Sequence, residues 1–518
     1  PDNGHMSTMP LMKICLIRPP ILCPKSHPIV QMTPPIGLAY IAGALHAEGH
    51  NVTVIDGLAE SFDTRHAWGD DCYLYGLSLD EVMSRIDDNT DVIGISAAFT
   101  FEWPMCRDLI VQLRDRFPAA YLIGGGEHIT ALPEMSMREA PMDAAVMGEG
   151  EETIVNLVRA RSLPEFDPAA IEGIAYTGPD GDIIVNPRHN RIRNIDDIPR
   201  PAWGLLPIQE YLNRGYGFGV TRGRSMPVIA SRGCPYQCTF CSNPLMWTTR
   251  WVARDVDTLL DELQHYKTVY GAENFDFYDL TAIVKKDWIV KFCSKVKERG
   301  MSFTWQLPSG TRSEAIDDEV ARLLYESGCR NLSYAPESGS ASVLTRIKKK
   351  IKLDGMLASL RGSVQAGVNV KINLMFGFPG ETYGEIAQSF SFICKMAWAG
   401  GHDLSIWAFS PYPGSELFDE LYSQGKLRMD EAYYDDLRSY SDMSRTKSFS
   451  ENIPSSTLKK LRWAGTVLFY VVSWLRRPWR PFIMVRNVLR GTHESRSELA
   501  LASIIRRFKM TTKPRGAL

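Results

Sequence analysis

Short apolar runs recur along the first third of the chain, at 13–18, 51–55, 91–96, 120–123 and 143–147, separated by stretches whose apolar positions fall at helical spacing. The clearest helix is PIGLAYIAGAL at 35–45, which stops near Gly49. Short buried strands alternating with helices predict an α/β domain over residues 12–162, an N-terminal doubly wound parallel sheet of Rossmann-like type. Ligands of such sheets bind beyond the carboxyl ends of the strands. Two of those ends carry glycines, in Gly124-Gly125-Gly126-Glu127-His128 and Gly148-Glu149-Gly150-Glu151. Glycine lets the backbone approach a bulky ligand or take positive φ, and it also makes tight turns that bind nothing. No G-x-G-x-x-G follows the first strand, so a dinucleotide fingerprint is absent.

The pattern changes over 163–226. Prolines are frequent, and Gly178-Pro179-Asp180-Gly181 separates two short apolar runs at 175–177 and 183–185. This reads as a linker with a β-hairpin that ties two domains together. From 227 the alternation resumes, with strand-like runs at 227–230, 275–277, 302–307, 331–335, 368–376 and 404–409. Helical stretches at 256–270, 287–299, 314–327 and 383–398 lie between them. These β-then-α units predict a second α/β domain over 227–420, followed by a mostly helical, basic C-terminal region at 421–518.

Composition is ordinary, with 44% hydrophobic and 23% charged residues and a formal net charge of −2. The opening Pro1-Asp2-Asn3-Gly4-His5-Met6 reads as an expression scar, so 1–11 is set aside, and the apolar strand from Met12 leaves no signal peptide expected. Near-neutrality hides an asymmetry: residues 455–518 carry 14 Lys and Arg against two acids. That tail holds an apolar run at 466–475 followed by Arg476-Arg477-Pro478-Trp479-Arg480-Pro481-Phe482. The run is too short to span a bilayer. It could lie in a membrane interface with Trp474 and Trp479 at headgroup level, or form a helix over the mouth of the second domain. No recognised RNA-binding module accompanies it, so nucleic acid is not an expected partner.

The densest chemistry is Cys234-Pro-Tyr-Gln-Cys238-Thr-Phe-Cys241, directly after the first strand of the second domain. A C-x3-C-x2-C loop can turn three sulfurs toward one point, and soft thiolates select zinc, copper or an iron–sulfur cluster. Structural zinc wants four ligands, and no fourth Cys or His lies close in sequence. The other cysteines, Cys15, Cys23, Cys72, Cys106, Cys293, Cys329 and Cys394, are scattered in apolar contexts, the usage of a reducing cytoplasm.

The loop, with Phe240 before its third cysteine, resembles the cluster motif of the radical S-adenosylmethionine (SAM) superfamily. The resemblance implies a [4Fe–4S] cluster on Cys234, Cys238 and Cys241, SAM bound at the open iron, and a partial (β/α)6 TIM-type barrel. It also implies SAM contacts from Phe240 at the adenine, Arg312 at the carboxylate, and Glu337 and Ser338 at the ribose or amino group. YDLTAIVKKDW departs from the usual motif after the second strand, leaving Asp279 and Thr281 as candidates for the SAM amino group. PPIGLAYIAGAL, VIDG, GIS, GGGEH and GEGEET, in that order, resemble the cobalamin-binding domain that precedes the barrel in many members. Ser96, Gly124, Gly125, Gly126, Glu127, His128, Gly148, Glu149 and Gly150 are its expected contacts. The D-x-H-x-x-G motif is missing, and His27 reads as a loop histidine; Glu102 and Trp103, after the third strand, are candidates to border the lower cobalt face. The resemblance as a whole implies a methyltransferase for an unactivated carbon, served by an external donor of flavodoxin or ferredoxin type, and the basic, aromatic tail points to a hydrophobic or lipid-like substrate. A cyclase or oxidase with the same cofactors, or a non-catalytic sensor, are the alternatives, and no catalytic side chain is assigned.

Overall fold

The computed structural model describes residues 10–26, 32–188, 191–438, 440 and 442–511; His27 lies outside the described residues. The first sheet is built from β1 (Lys13–Arg18), β2 (Asn51–Asp56), β3 (Val92–Ser96), β4 (Tyr121–Gly125) and β5 (Ala144–Val146), all parallel. Ile14 and Leu16 of β1 pack under helices Ile36–Ala47 and Gly150–Arg161, while Cys15 and Ile17 pack under Trp103–Arg116. Burial on both faces is why these strands are continuous apolar runs rather than alternating ones. The order β5-β4-β3-β1-β2 reverses beside β1, which opens a crevice at the carboxyl ends there.

The hairpin expected to be a linker belongs to this sheet. β6 (Ile174–Thr177) pairs antiparallel with β5, and β7 (Ile183–Val185) pairs with β6, making seven strands. It thereby covers the edge that β5 would otherwise leave unpaired. A small antiparallel sheet of Ile21–Pro24, Cys72–Tyr75 and Arg65–Trp68 was not foreseen. One of its strands is RHAW, half exposed throughout, and carries no apolar run to read.

The second sheet contains β8 (Ser225–Val228), β9 (Asn274–Phe277), β10 (Thr304–Thr311), β11 (Cys329–Glu337), β12 (Asn369–Phe376) and β13 (Asp403–Ala408). They are parallel and lie in sequence order with the two ends unpaired, the partial barrel expected. β12 shows how sequence makes the wall: Val370, Ile372, Leu374 and Phe376 are fully buried under the helices, each worth about 1.5–3 kcal/mol. The alternate positions Lys371, Asn373 and Met375 are half buried and face the lumen. Helix Tyr383–Ala399 closes that unit, opened by a Thr382–Glu385 capping box and stopped by Gly400 at φ 117°.

The tail does not cover the barrel mouth. Helix Ser455–Arg476 runs down the outside of β13, with Leu458 against Gly377 after β12 and Phe469 against Gly401 before β13. The segment before the last helix then caps the amino-terminal ends of the strands: Asn331 and Asn369 donate to the Glu494 carbonyl, and the Arg496 N–H donates to Asp403 at 2.7 Å.

Candidate active site between the two sheets

The cysteine loop leaves β8 and is pinned at several points. The Thr239 N–H donates to the Ile347 carbonyl, Leu417 N–H donates to the Thr239 carbonyl, and Asn243 donates to the Cys234 carbonyl. Cys234, Cys238 and Cys241 are unbridged and half buried. Burial pushes the Cys241 thiol up to about 12 and raises Cys238 as well, so bare thiolates here need a cationic centre. Among the described residues no three His, Cys, Asp or Glu side chains converge as a single metal ion requires.

Polar groups gather beside the loop. Glu337 ends β11 at φ 67°, a left-handed conformation costing roughly 1–2 kcal/mol for a residue with a Cβ. A register shift between Tyr334 and Glu337 re-aims it, and Lys349 holds its carboxylate at 2.9 Å, both side chains about nine-tenths buried. The Lys349 ammonium also stands 5.9 Å from the Phe240 ring, which packs edge-on against Phe378. Arg312 lies over the Tyr236 ring at 3.7 Å and donates to Glu314 and to the Lys350 carbonyl. Its Nε–H is buried without an acceptor, a donor aimed at something the protein does not supply.

Lys349 and Tyr236 were missed in the sequence. Lys349 sits in Lys348-Lys349-Lys350, which reads as a solvated charge run, and only the turn at Lys348 (φ 53°) swings it inward. Two expected SAM contacts, Asp279 and Ser338, are otherwise engaged, and Thr281 keeps a free hydroxyl. Asp279 accepts from the Ala230 N–H and the Ser231 hydroxyl, so it braces the root of the cysteine loop, and burial raises its carboxyl to about 6. Ser338 is fully buried against Ser389 and Ser340. Thr281 is buried with its hydroxyl unpaired, while its carbonyl accepts from Trp251.

At the first sheet the glycines divide. Ser96 and Gly125 pair across β3 and β4 at their carboxyl ends, both half exposed, and a Cβ on Gly125 would approach only the Val146 carbonyl, at 3.7 Å. Gly126 at φ 120° would put a Cβ 2.4 Å from the Ala97 carbonyl, and Gly148 turns at φ 70°. Ser96 and Gly125 leave an open backbone ledge, while Gly126 and Gly148 are glycines because the turns need positive φ and a Cβ would meet Ala97 or Arg188. Gly124 and Gly150 instead serve packing, since their Cβ positions meet Met142 at 2.3 Å and Ile41 at 2.9 Å.

Three further expectations are corrected, for Trp103, His128 and Glu149. Trp103 is fully buried, donating to Glu139 at 2.6 Å, and cannot border an open face. His128 stacks on it at 4.6 Å, shares a 3.3 Å contact with Thr100, and is pushed down to about 3 by burial. Glu149 is fully occupied by Arg188, Arg191 and Arg232 at 3.1, 3.0 and 3.4 Å. Burial would raise its carboxyl, but the three guanidiniums outweigh burial and hold it below the usual range. Glu127 accepts from Ser242, next to Cys241, so the glycine ledge and the cysteine loop touch directly. Glu102 does lie half buried near β1, accepting from the Leu22 N–H, and burial raises it to about 7.

An iron–sulfur-type loop at the strand ends of a partial barrel, facing a backbone ledge on a doubly wound sheet, defines a two-cofactor enzyme. Residues 28–158 match the B12 binding domain family and 228–393 the Radical SAM superfamily. The chain is 30% identical to an uncharacterized methyltransferase of Pyrococcus horikoshii over 81% of its length and 85% of that protein's. It is 28% identical to cytidylyl-2-hydroxyethylphosphonate methyltransferase of Streptomyces wedmorensis, over 83% and 85%. It is 26% identical to anaerobic magnesium-protoporphyrin IX monomethyl ester cyclase of Rubrivivax gelatinosus, over 75% and 66%. In fold it matches the radical SAM methyltransferase TsrM of Kitasatospora setae with TM-score 0.64 and 16% identity, over 89% and 91%. The cobalamin-dependent radical enzyme OxsB gives 0.66 and 14%, over 97% and 76%. The chain belongs to the cobalamin-dependent radical SAM enzymes, whose cofactors are a [4Fe–4S] cluster, SAM and cobalamin.

Proposed function

We propose that this enzyme transfers a methyl group to an unactivated carbon of a hydrophobic, lipid-like substrate in the cytoplasm. The observation carrying the substrate class is a set of half-buried aromatic rings on and around the last strand: Phe240 beside the cysteines, and Trp407, Tyr412, Tyr440 and Phe449, backed by the fully buried Phe378 and Phe409. Such a set excludes water and offers an apolar chain contact area without charge. Methyl transfer is supported by methyltransferases among the relatives.

When bound, the cofactors supply the reaction: cleavage of SAM to a radical that removes a hydrogen atom, and a methyl group carried by cobalamin. In this reading Cys234, Cys238 and Cys241 hold the cluster. The unpaired Nε–H of Arg312 takes the SAM carboxylate, and Glu337, held by Lys349, takes its amino group. Ser96 and Gly125 give cobalamin its backbone ledge. Glu127 and Ser242 fix the spacing between the two sites. An external one-electron donor of flavodoxin or ferredoxin type completes the system.

The cyclase relative favours a second reading, ring formation without methyl transfer. Both are tested by anaerobic reconstitution with methyl-labelled SAM, a reductant and whole-cell lipid extract, followed by mass spectrometry. Deoxyadenosine with S-adenosylhomocysteine and a labelled lipid is the expected result. Deoxyadenosine with an unlabelled, hydrogen-poorer product would establish the cyclase reading. Absence of both SAM products, unchanged in Cys238→Ala, would overturn catalysis altogether.

A further inference from the structure

The tail leaves an apolar face that the fold does not use. On helix Ser455–Arg476 the inward positions Leu458, Arg462, Gly465, Phe469 and Ser473 are buried, and Trp463, Val467, Val471 and Trp474 are exposed on another side. Their spacing is that of one helical stripe. Helix Arg480–Arg490 continues it with Phe482, 78% exposed, Val485, and Leu489, 80% exposed. Single exposed apolar residues need no explanation, but a stripe over two successive helices does.

The exposed charge on these two helices is basic. Arg477 and Arg480 are used by the fold, donating to carbonyls of Trp398, Ala399, Gly400 and Gly401. Lys459, Lys460, Arg476, Arg486 and Arg490 are exposed, and Arg476 lies over the exposed Trp398 ring at 5.0 Å. Of the two acids in 455–518, Glu498 is buried. Among the described residues no helix is long and apolar enough to cross a membrane.

We propose that this face docks on the surface of an anionic phospholipid bilayer, with the apolar stripe in the interface and the basic residues at the phosphates. Charge complementarity selects this occupant: a two-fold contact with a second copy would set the same basic residues against each other. The stripe starts beside Gly377 after β12 and runs down the flank of the barrel, and Arg480 at the turn before β13 with Glu494 and Arg496 at the strand starts sets its Phe482–Leu489 end toward the amino-terminal side. The proposal needs no part of the methyl-transfer reading.

The test is sedimentation of the full chain with vesicles of phosphatidylcholine alone or mixed with phosphatidylglycerol. The chain should pellet with the mixed vesicles and much less with the neutral ones, and binding should fall as salt shortens the reach of surface charge. Each basic residue at the surface contributes roughly fivefold, so R486E/R490E should lose binding by at least about twentyfold. F482D/L489D should abolish it, and both variants should melt within about 2 °C of the parent, as exposed substitutions do. No preference for anionic vesicles, or undiminished binding by a folded F482D/L489D, overturns the proposal. So does a dimer in light scattering that F482D/L489D splits into monomers, which would give the face to a second copy.

Discussion

Replacing Glu149 by Gln removes one buried negative charge from a cluster that joins the two domains. Its carboxylate, with no exposed side-chain surface, faces Arg188, Arg191 and Arg232, and the second oxygen-rich partner, Glu151, contacts only Arg232, at 2.5 Å. The cluster changes from three positive and two negative groups to three and one. Breaking a buried pair by removing one partner costs about 3–5 kcal/mol, and Gln keeps shape and one acceptor, so about 3 kcal/mol is expected. For a domain of this size that lowers Tm by about 6–12 °C. The assay is a thermal melt of parent and Glu149→Gln, repeated in high salt, which screens a buried cluster little. The sign in pH follows from the depressed carboxyl: its stabilisation is present above the ordinary carboxylate pKa and is lost as pH falls through the lower folded value. The parent and variant therefore converge only in strong acid. Cobalamin uptake by the folded variant should be unchanged. A Tm drop under about 2 °C, or selective loss of cobalamin with normal stability, would refute the structural role assigned to Glu149.

Three further outcomes are expected. Arg312→Met should weaken SAM binding by about tenfold or more in equilibrium dialysis, the loss of a charge-assisted hydrogen bond, with Arg312→Lys rescuing only in part. Gly125→Val should block cobalamin uptake, read by absorbance, at little cost in stability, whereas Gly126→Val should destabilise the fold itself, since its Cβ has no space. His128 and His402 are each held near 3 by burial, so the folded state refuses protons that the unfolded state takes below about 6.5. Stability should fall by about 1.4 kcal/mol per pH unit for each histidine from 6.5 toward 3, measured in denaturant titrations at several pH values.

The parallel strands were legible because a strand covered on one or both faces carries a local apolar run, whereas the small antiparallel sheet and the pairing of the hairpin were not. The cysteine loop was legible for a similar reason: all three ligating sulfurs come from one short segment. Phe240, Arg312 and Glu337, expected from the resemblance to contact SAM, lie beside that loop in the structure. Trp103 and His128 were misread because position after a strand says nothing of which way a ring turns.

What the chain alone determined, then, is two successive α/β domains, the soft-ligand loop between an apolar strand and a helix, and a basic, apolar tail. The tertiary structure decided which glycines are open, since Gly124 and Gly125 are adjacent in sequence yet one faces Met142 and the other an empty ledge. It decided that Glu149 belongs to arginines 39, 42 and 83 residues away rather than to a cofactor. It also placed the hairpin on the edge of the first sheet and the tail on the flank and floor of the barrel. Each of these depends on contacts between segments far apart in the chain, and periodicity and spacing report only on the surroundings that a segment makes for itself.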